Sequence, residues 1–293
     1  MNTLKIGIIA GLIAGLIYGI FLIITENILA TIELAFFLSI HYLSKITTIE
    51  IIFGIIWGII FGIIYSKAYH VIPGKAILKG LVFGLFLYFI THVRTAIWII
   101  PYAYYYWAFL YVIQGIIPWI SFGLVLGFLY ESLHTIYEVP KEKKKIIQYN
   151  MKSGILPGGI AGFIGGIPAF ISVVIGSILR LMTMLTPEYE NWLDYLTDVP
   201  FLTSQFIVHS GMHMLWGVIF GAVFAKVYNL VPRKGKVKGL YYGLIILLIT
   251  GMRYSIYTLA YGDIATFWQW ILPEICAFIT FGIVLGHLYK PTK

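Results

Sequence analysis

The sequence predicts an all-α integral membrane protein: eight transmembrane helices arranged as two parallel four-helix tandem repeats, with both termini cytoplasmic. Three observations lead there: an apolar composition, an internal duplication and an alternation of basic connections. Of the 293 residues, 60% are apolar and only 11% charged, with a mean hydropathy of +0.92; soluble domains carry roughly a quarter charged residues. Residues 47–134 can be laid on 206–293 at a constant offset of 159 without a gap. Trp57, Gly58, Phe61, Gly62, Lys67, Tyr69, Pro73, Lys75, Lys79, Gly80, Gly84, Thr91 and Arg94 recur as Trp216, Gly217, Phe220, Gly221, Lys226, Tyr228, Pro232, Lys234, Lys238, Gly239, Gly243, Thr250 and Arg253. The match resumes at Phe122-Gly123 against Phe281-Gly282 and runs to the end of each copy.

Each half offers four apolar stretches near the roughly 20 residues that cross hydrocarbon as a helix: about 5–25, 48–67, 76–99 and 107–130, then 154–179, 205–226, 239–260 and 268–289. They lack the polar and apolar alternation of barrel strands, and lipid offers no partner for open backbone groups, so helices are expected. The first helices align at a shift of 147, which pairs Lys5, Gly11, Ala14, Gly15 and Gly19 with Lys152, Gly158, Ala161, Gly162 and Gly166. A 12-residue insertion therefore falls between the first two helices of repeat two, in the polar stretch from Pro187 to Pro200. Because the first helix has a duplicate in mid-chain, it reads as a retained span rather than a cleaved signal. Residues 27–43 are too apolar for a loop and too long to extend a straight span; they are expected to form a lateral interfacial helix, with Glu33 as its one acidic residue. Repeat one covers 1–137, a basic linker 138–151 and repeat two 152–293.

Sixteen of the 20 Lys and Arg residues fall in alternate connections, which by the positive-inside rule puts the termini and the linker in the cytoplasm of a plasma-membrane protein. Four helices per repeat then give both halves one orientation, about a pseudo-twofold axis along the membrane normal. The net charge of +8 is thus a topology signal, and its Lys-Lys-Lys run faces anionic lipid heads; nothing calls for nucleic acid as a partner. Cys276 stands alone, so the chain holds no disulfide framework or CxxC site. Glycines at four-residue spacing (11, 15, 19; 54, 58, 62; 123, 127; 158, 162, 166; 217, 221; 282, 286) are read as seams where helix backbones approach, rather than as a substrate path.

Ionisable residues inside the spans are the candidates for function, since they are costly at membrane depth. Nine of the 12 acidic residues lie on the outer side, opposite the basic connections. Arg94 and Arg253 fall in the outer third of their helices, with His92 beside Arg94, Glu50 and its counterpart His209 near the outer helix ends, and Glu274 at a similar level. One reading pairs Arg94 with Glu50 and Arg253 with Glu274 as helix ties. The other makes Arg94, Arg253, His92, Glu50 and Glu274 a binding site in which two guanidinium forks bracket an anion or a quinone carbonyl. Gln205, His209 and His213 share one helical face, and two imidazoles one turn apart chelate a transition metal if a third ligand such as Glu26, Glu274 or His92 arrives; hydrogen-bonded structural histidines are the plainer alternative. Haem ligation between His92 and His209 or His213 needs imidazoles opposed from separate helices. The aromatic run Pro101 to Trp107, with Tyr261, Trp268 and Trp270, reads as an interfacial belt.

No P-loop, GxSxG, HExxH or dinucleotide fingerprint occurs in an interpretable setting. The functions that remain are a small transporter or permease with an outer-leaflet polar site between the repeats, a quinone- or metal-binding subunit of a respiratory complex with other membrane subunits as partners, and an accessory subunit without a site. A membrane hydrolase ranks last, for want of a nucleophile and base.

Overall fold

A computed structural model describes residues 2–34, 43–100, 105–137, 150–183, 199–260 and 264–291, without the side chains at 30–34, 43–49, 99, 107, 177–183, 199, 201, 252–260, 264–266 and 269–270. The interfacial run 101–104, the linker 138–149 and the insertion over 184–198 lie outside the described residues, as do the side chains of Glu33 and Arg253. The described chain is helical throughout. Helices α1 (Thr3–Leu34) and α2 (Leu43–Ala68) are followed by α3 (Ala76–Tyr88), which continues through a π-helical turn (Phe89–Val93) into a last segment (Arg94–Ile99). Then come α4 (Tyr105–Ile136), α5 (Lys152–Thr183), α6 (Val199–Val227), α7 (Gly235–Ala260) and α8 (Ile264–Leu288). Among the described residues seven of these are long and apolar enough to cross a membrane; α7 has 26 residues, a length of about 39 Å at the α-helical rise. The chain is thus a polytopic helical membrane protein. The expected lateral helix over 27–43 is corrected in part, because α1 runs on unbroken to Leu34.

Two compact units divide the chain, Met1–Ile146 and Ile147–Lys293. Their internal plans agree. In the first, α1 packs on α2 and α4, and α3 on α4; in the second, α5 packs on α6 and α8, and α7 on α8.

Glycine dictates these pairings. A Cβ added at Gly11 would lie 2.2 Å from the Gly58 carbonyl oxygen, and one at Gly58 2.3 Å from that of Gly11. The second unit repeats the contact, with 2.2 Å from Gly158 to the Gly217 oxygen and 2.3 Å in return. A second seam joins α3 to α4, where a Cβ on Gly80 would meet the Gly123 oxygen at 2.2 Å, and α7 to α8, where one on Gly239 would meet that of Gly282 at 2.0 Å. Lipid gives helices no hydrophobic reason to associate, so close backbone contact supplies the attraction, and only glycine permits it. The spaced glycines are packing seams, as their spacing predicts.

Between the two zipped pairs lies a layer of rings. Trp57 and Phe61 of α2 stack at 5.7 Å, and Phe61 meets Trp119 and Phe122 of α4 at 5.6 and 6.0 Å. The second unit has Trp216, Phe220, Phe278 and Phe281 in the same arrangement. A lysine ties each pair at the basic end: Lys79 Nζ donates to the Tyr69 carbonyl at 2.6 Å and sits 4.1 Å over that ring, and Lys238 does the same to Tyr228 at 2.7 and 4.0 Å. Each cation meets orphan carbonyls at a helix C-terminus, where the dipole favours it. Tyr69 also donates its hydroxyl to Glu131, and burial first, then this bond, pushes its phenol above the ordinary range.

The turn that joins the second and third helices takes positive φ at the same two places in both units, Gly74 (+100°) and Ala76 (+40°) against Arg233 (+74°) and Gly235 (+51°). Glycine occupies one of the two left-handed positions in each, but not the same one.

Two outcomes are expected from this packing. Gly58→Leu, whose side chain has no space at the seam, lowers thermal stability by at least the 1–3 kcal/mol typical of overpacking, whereas Gly211→Ala, with nothing within 4 Å, stays within about 1 kcal/mol of the parent. Arg233→Gly removes a left-handed strain of about 1–2 kcal/mol and raises the melting temperature in detergent.

Candidate functional site

The seams lead to the ionisable residues. Along α3, Gly80, Gly84, Tyr88 and His92 follow at four-residue steps, and across on α4 Gly127 meets Gly80, Gly123 meets Gly84 and Gly115 meets His92. His92 is the far end of that ladder from the lysine-rich turn, only 5% exposed. Its ring lies where Gly115 leaves room, since a Cβ there would come within 2.4 Å of His92 Cγ. Trp119 Nε1 donates to His92 Nδ1 at 2.9 Å. An indole nitrogen only donates, so His92 is neutral with its proton on Nε2. Tyr88 lies against the ring at 6.2 Å between centroids and Tyr111 at 6.3 Å.

Arg94 follows directly and is also 5% exposed. The π-helical turn before it holds about one residue more than an α turn, so the phase beyond it lags by roughly 100°. α7 has no such turn and runs as one α-helix. The backbone leading to Arg94 therefore differs from that of its sequence match on α7. Thr91 and Thr95 return hydroxyl bonds to the carbonyls of Leu87 and Thr91 around the turn.

Glu50 is buried at 3% exposure near the start of the described side chains of α2. It marks the end of the first seam, where a Cβ on Gly19 would stand 3.0 Å from the Glu50 carbonyl oxygen. Thus Glu50, His92 and Arg94 all belong to the interior of the first unit. Glu26, on α1, accepts a hydrogen bond from Gln114 Nε2 of α4, which occupies its carboxylate with a helix tie.

In the second unit His209 takes the Glu50 position and is equally enclosed, 6% exposed. A Cβ on Gly166 would lie 3.3 Å from its carbonyl oxygen, and Phe170 packs edge-on against its ring at 6.3 Å. His209 Nδ1 meets the Gln205 carbonyl at 2.8 Å, and His213 Nδ1 that of His209 at 2.8 Å. A carbonyl only accepts, so both carry a proton on Nδ1 and direct Nε2 outward from the helix. This is how a ligating histidine is braced, yet among the described residues no group of three His, Cys, Asp or Glu side chains converges on a metal ion. The candidate metal set of His209, His213 and Glu26 is divided between the units, two in the second and one in the first.

Glu274 lies on α8, one residue after Pro273. Its Cβ and Cγ stand 2.8 and 3.2 Å from where Gly251 would carry a Cβ. Gly251 is the repeat partner of His92, and Glu274 that of Gly115. Sequence reasoning found His92 and Glu274 as ionisable residues but missed the two glycines that house them; the signal was a glycine in one copy at the column of an ionisable residue in the other. Arg253 lies on α7, with its side chain outside the described residues.

Removing one partner shows what the Trp119 bond contributes. His92→Ala leaves an indole N–H without its acceptor in an apolar interior, a loss of about 1–3 kcal/mol, and Trp119→Phe in that background recovers part of it; a double-mutant cycle in thermal unfolding should give a coupling near 1 kcal/mol. A coupling near zero contradicts the assigned bond. Comparison with protein-family models, curated proteins and solved structures finds no match, so function is read from the residues of the chain itself.

Proposed function

We propose that this protein is a small plasma-membrane transporter built from two same-orientation four-helix repeats, residues 1–137 and 152–293 about a basic cytoplasmic linker, with both termini in the cytoplasm. Its substrate-binding groups are Arg94, His92 and Glu50 of one repeat and Arg253 and Glu274 of the other, in the outer leaflet. One observation carries the reading: Glu50, His92 and Arg94 are all held below a tenth exposed inside otherwise apolar spans. Charge at such depth is costly, and proteins retain it where a polar species must be bound or passed. The guanidinium favours an anionic group, which it meets with paired donors.

A second reading draws on the Nδ1 bracing of His209 and His213: a redox subunit with a transition metal, haem or quinone, working beside other membrane subunits. Absorption spectra and metal analysis of the purified protein decide between the two.

For the transport reading, Arg94→Ala and Arg253→Ala each reduce uptake of an anionic substrate into proteoliposomes about tenfold or more, as loss of a charged hydrogen bond of about 1.5–3 kcal/mol requires, while the protein still elutes as a folded species. In a Cys276→Ser background, single cysteines at Lys75, Lys143 and Lys236 react with impermeant reagent only from the cytoplasmic face. Labelling of Lys75 and Lys236 from opposite faces would refute the parallel arrangement.

A further inference from the structure

At the basic end of the helices the two units share one frame. Lys79 Nζ bonds the Tyr69 carbonyl and lies over that ring, as Lys238 does to Tyr228. Each of these tyrosines rests against another on the fourth helix of its unit, Tyr69 on Tyr130 at 4.9 Å and Tyr228 on Tyr289 at 5.2 Å between ring centroids. The charge beside this frame differs. In the first unit the Tyr69 hydroxyl donates to the carboxylate of Glu131, the residue after Tyr130. In the second, the residue after Tyr289 is Lys290. An anion that the chain itself supplies in one repeat is a cation in the other.

No acid of the second unit makes up the difference. Its six acidic residues fall at 188, 190, 194, 198, 263 and 274, away from the end where α6 and α8 finish. Yet Lys238 is only 7% exposed. An ammonium has three donors, and among the described residues this one meets a single carbonyl oxygen and one ring face. A charge withdrawn from water loses solvation that a counter-ion normally restores. Further cations stand at the same end: the exposed Lys234 and Lys236 at the start of α7, and the exposed Lys290 just past α8. The Tyr289 hydroxyl meets Ser153 Oγ at 3.2 Å, which brings the start of α5, with Lys152, to that end as well.

We propose that the basic end of the second unit binds a phosphate group, that of an anionic lipid at the cytoplasmic surface, with Lys238 and Lys290 as its contacts and Lys152, Lys234 and Lys236 as its rim. The phosphate takes the part that the Glu131 carboxylate plays in the first unit. Its free oxygens share a negative charge and accept from the ammonium donors that the Tyr228 carbonyl leaves open. The level suits a lipid, because phosphates of an anionic leaflet lie where basic helix ends leave the hydrocarbon. Binding makes and breaks no covalent bond. The site is at the opposite end of α6 and α8 from His209 and Glu274, so it stands or falls apart from the transport reading.

The test is native mass spectrometry of the intact protein in neutral detergent, titrated with dioctanoyl phosphatidylglycerol, dioctanoyl phosphatidylcholine or inorganic phosphate. The parent should retain one phosphatidylglycerol in preference to phosphatidylcholine. Lys290→Glu copies the acid that the first unit already carries, so it should melt no lower than the parent while binding phosphatidylglycerol about tenfold or more weakly. Glu131→Lys, the reciprocal change, should add a second bound phosphatidylglycerol. Lys75→Glu makes the same change of charge at an exposed lysine of the first unit and should leave affinity within about twofold. Inorganic phosphate that fails to displace the lipid at equal concentration supports a lipid site; displacement overturns the lipid assignment in favour of a free oxyanion. A parent that retains no phosphatidylglycerol overturns the proposal. So does equal weakening by Lys290→Glu and Lys75→Glu, which marks diffuse attraction to the whole basic face.

Discussion

Backbone-to-backbone contact at glycine is the constraint from which the rest of each unit follows. A water-soluble bundle would assemble by withdrawing apolar surface from water, but lipid tails are as apolar as leucine, so the helices need another source of attraction. The seams between α1 and α2, α3 and α4, α5 and α6, and α7 and α8 supply it, with carbonyl oxygens standing where a Cβ would otherwise be. Helices held this close leave no room for a cavity along the seam. The layer of tryptophan and phenylalanine rings then joins one zipped pair to the other. The large polar side chains His92 and Glu274 are admitted at the seam ends, and each requires a glycine across from it.

Duplication under this constraint has preserved sums rather than letters. The joining turn keeps one glycine for two left-handed residues, but moves it from position 74 to position 235. The ring layer keeps one tyrosine and one phenylalanine between its second and third helices, as Tyr65 with Phe83 in one unit and Phe224 with Tyr242 in the other. In the second of these the hydroxyl donates to a backbone carbonyl, Tyr242 to Phe220 at 2.7 Å. The exchange of His92 and Gly115 for Gly251 and Glu274 belongs to the same pattern. Volume at a close contact is shared between two positions, so a larger residue on one side is tolerated when its neighbour shrinks.

Much of this was legible beforehand, for identifiable reasons. Apolar runs of the right length and glycines every fourth residue are local signals with one physical cause each, and they placed the helices and the seams. Helix limits were less legible: α1 extends past residue 25, where Thr25 and Asn27 satisfy their side chains on the carbonyls of Phe21 and Ile23. The π turn at Phe89–Val93 left no mark, since Thr91 and Arg94 recur in α7 without it. The housing of the ionisable residues was hidden by the alignment itself, in which Gly115 against Glu274 counts as a mismatch although the space is shared. The histidine face of α6 was read correctly as a face, but its Nδ1 atoms are committed to backbone carbonyls, which periodicity does not reveal.

Preorganised, differently protonated imidazoles in the two units are the central claim, and nitrogen-15 solid-state NMR of the reconstituted protein reads them directly. His92 should be neutral with a bare Nδ1 and a protonated Nε2, His209 and His213 should carry the proton on Nδ1, and Trp119→Phe should shift only the His92 resonances. Identical tautomers at His92 and His209, or a His92 signal indifferent to Trp119→Phe, would contradict it.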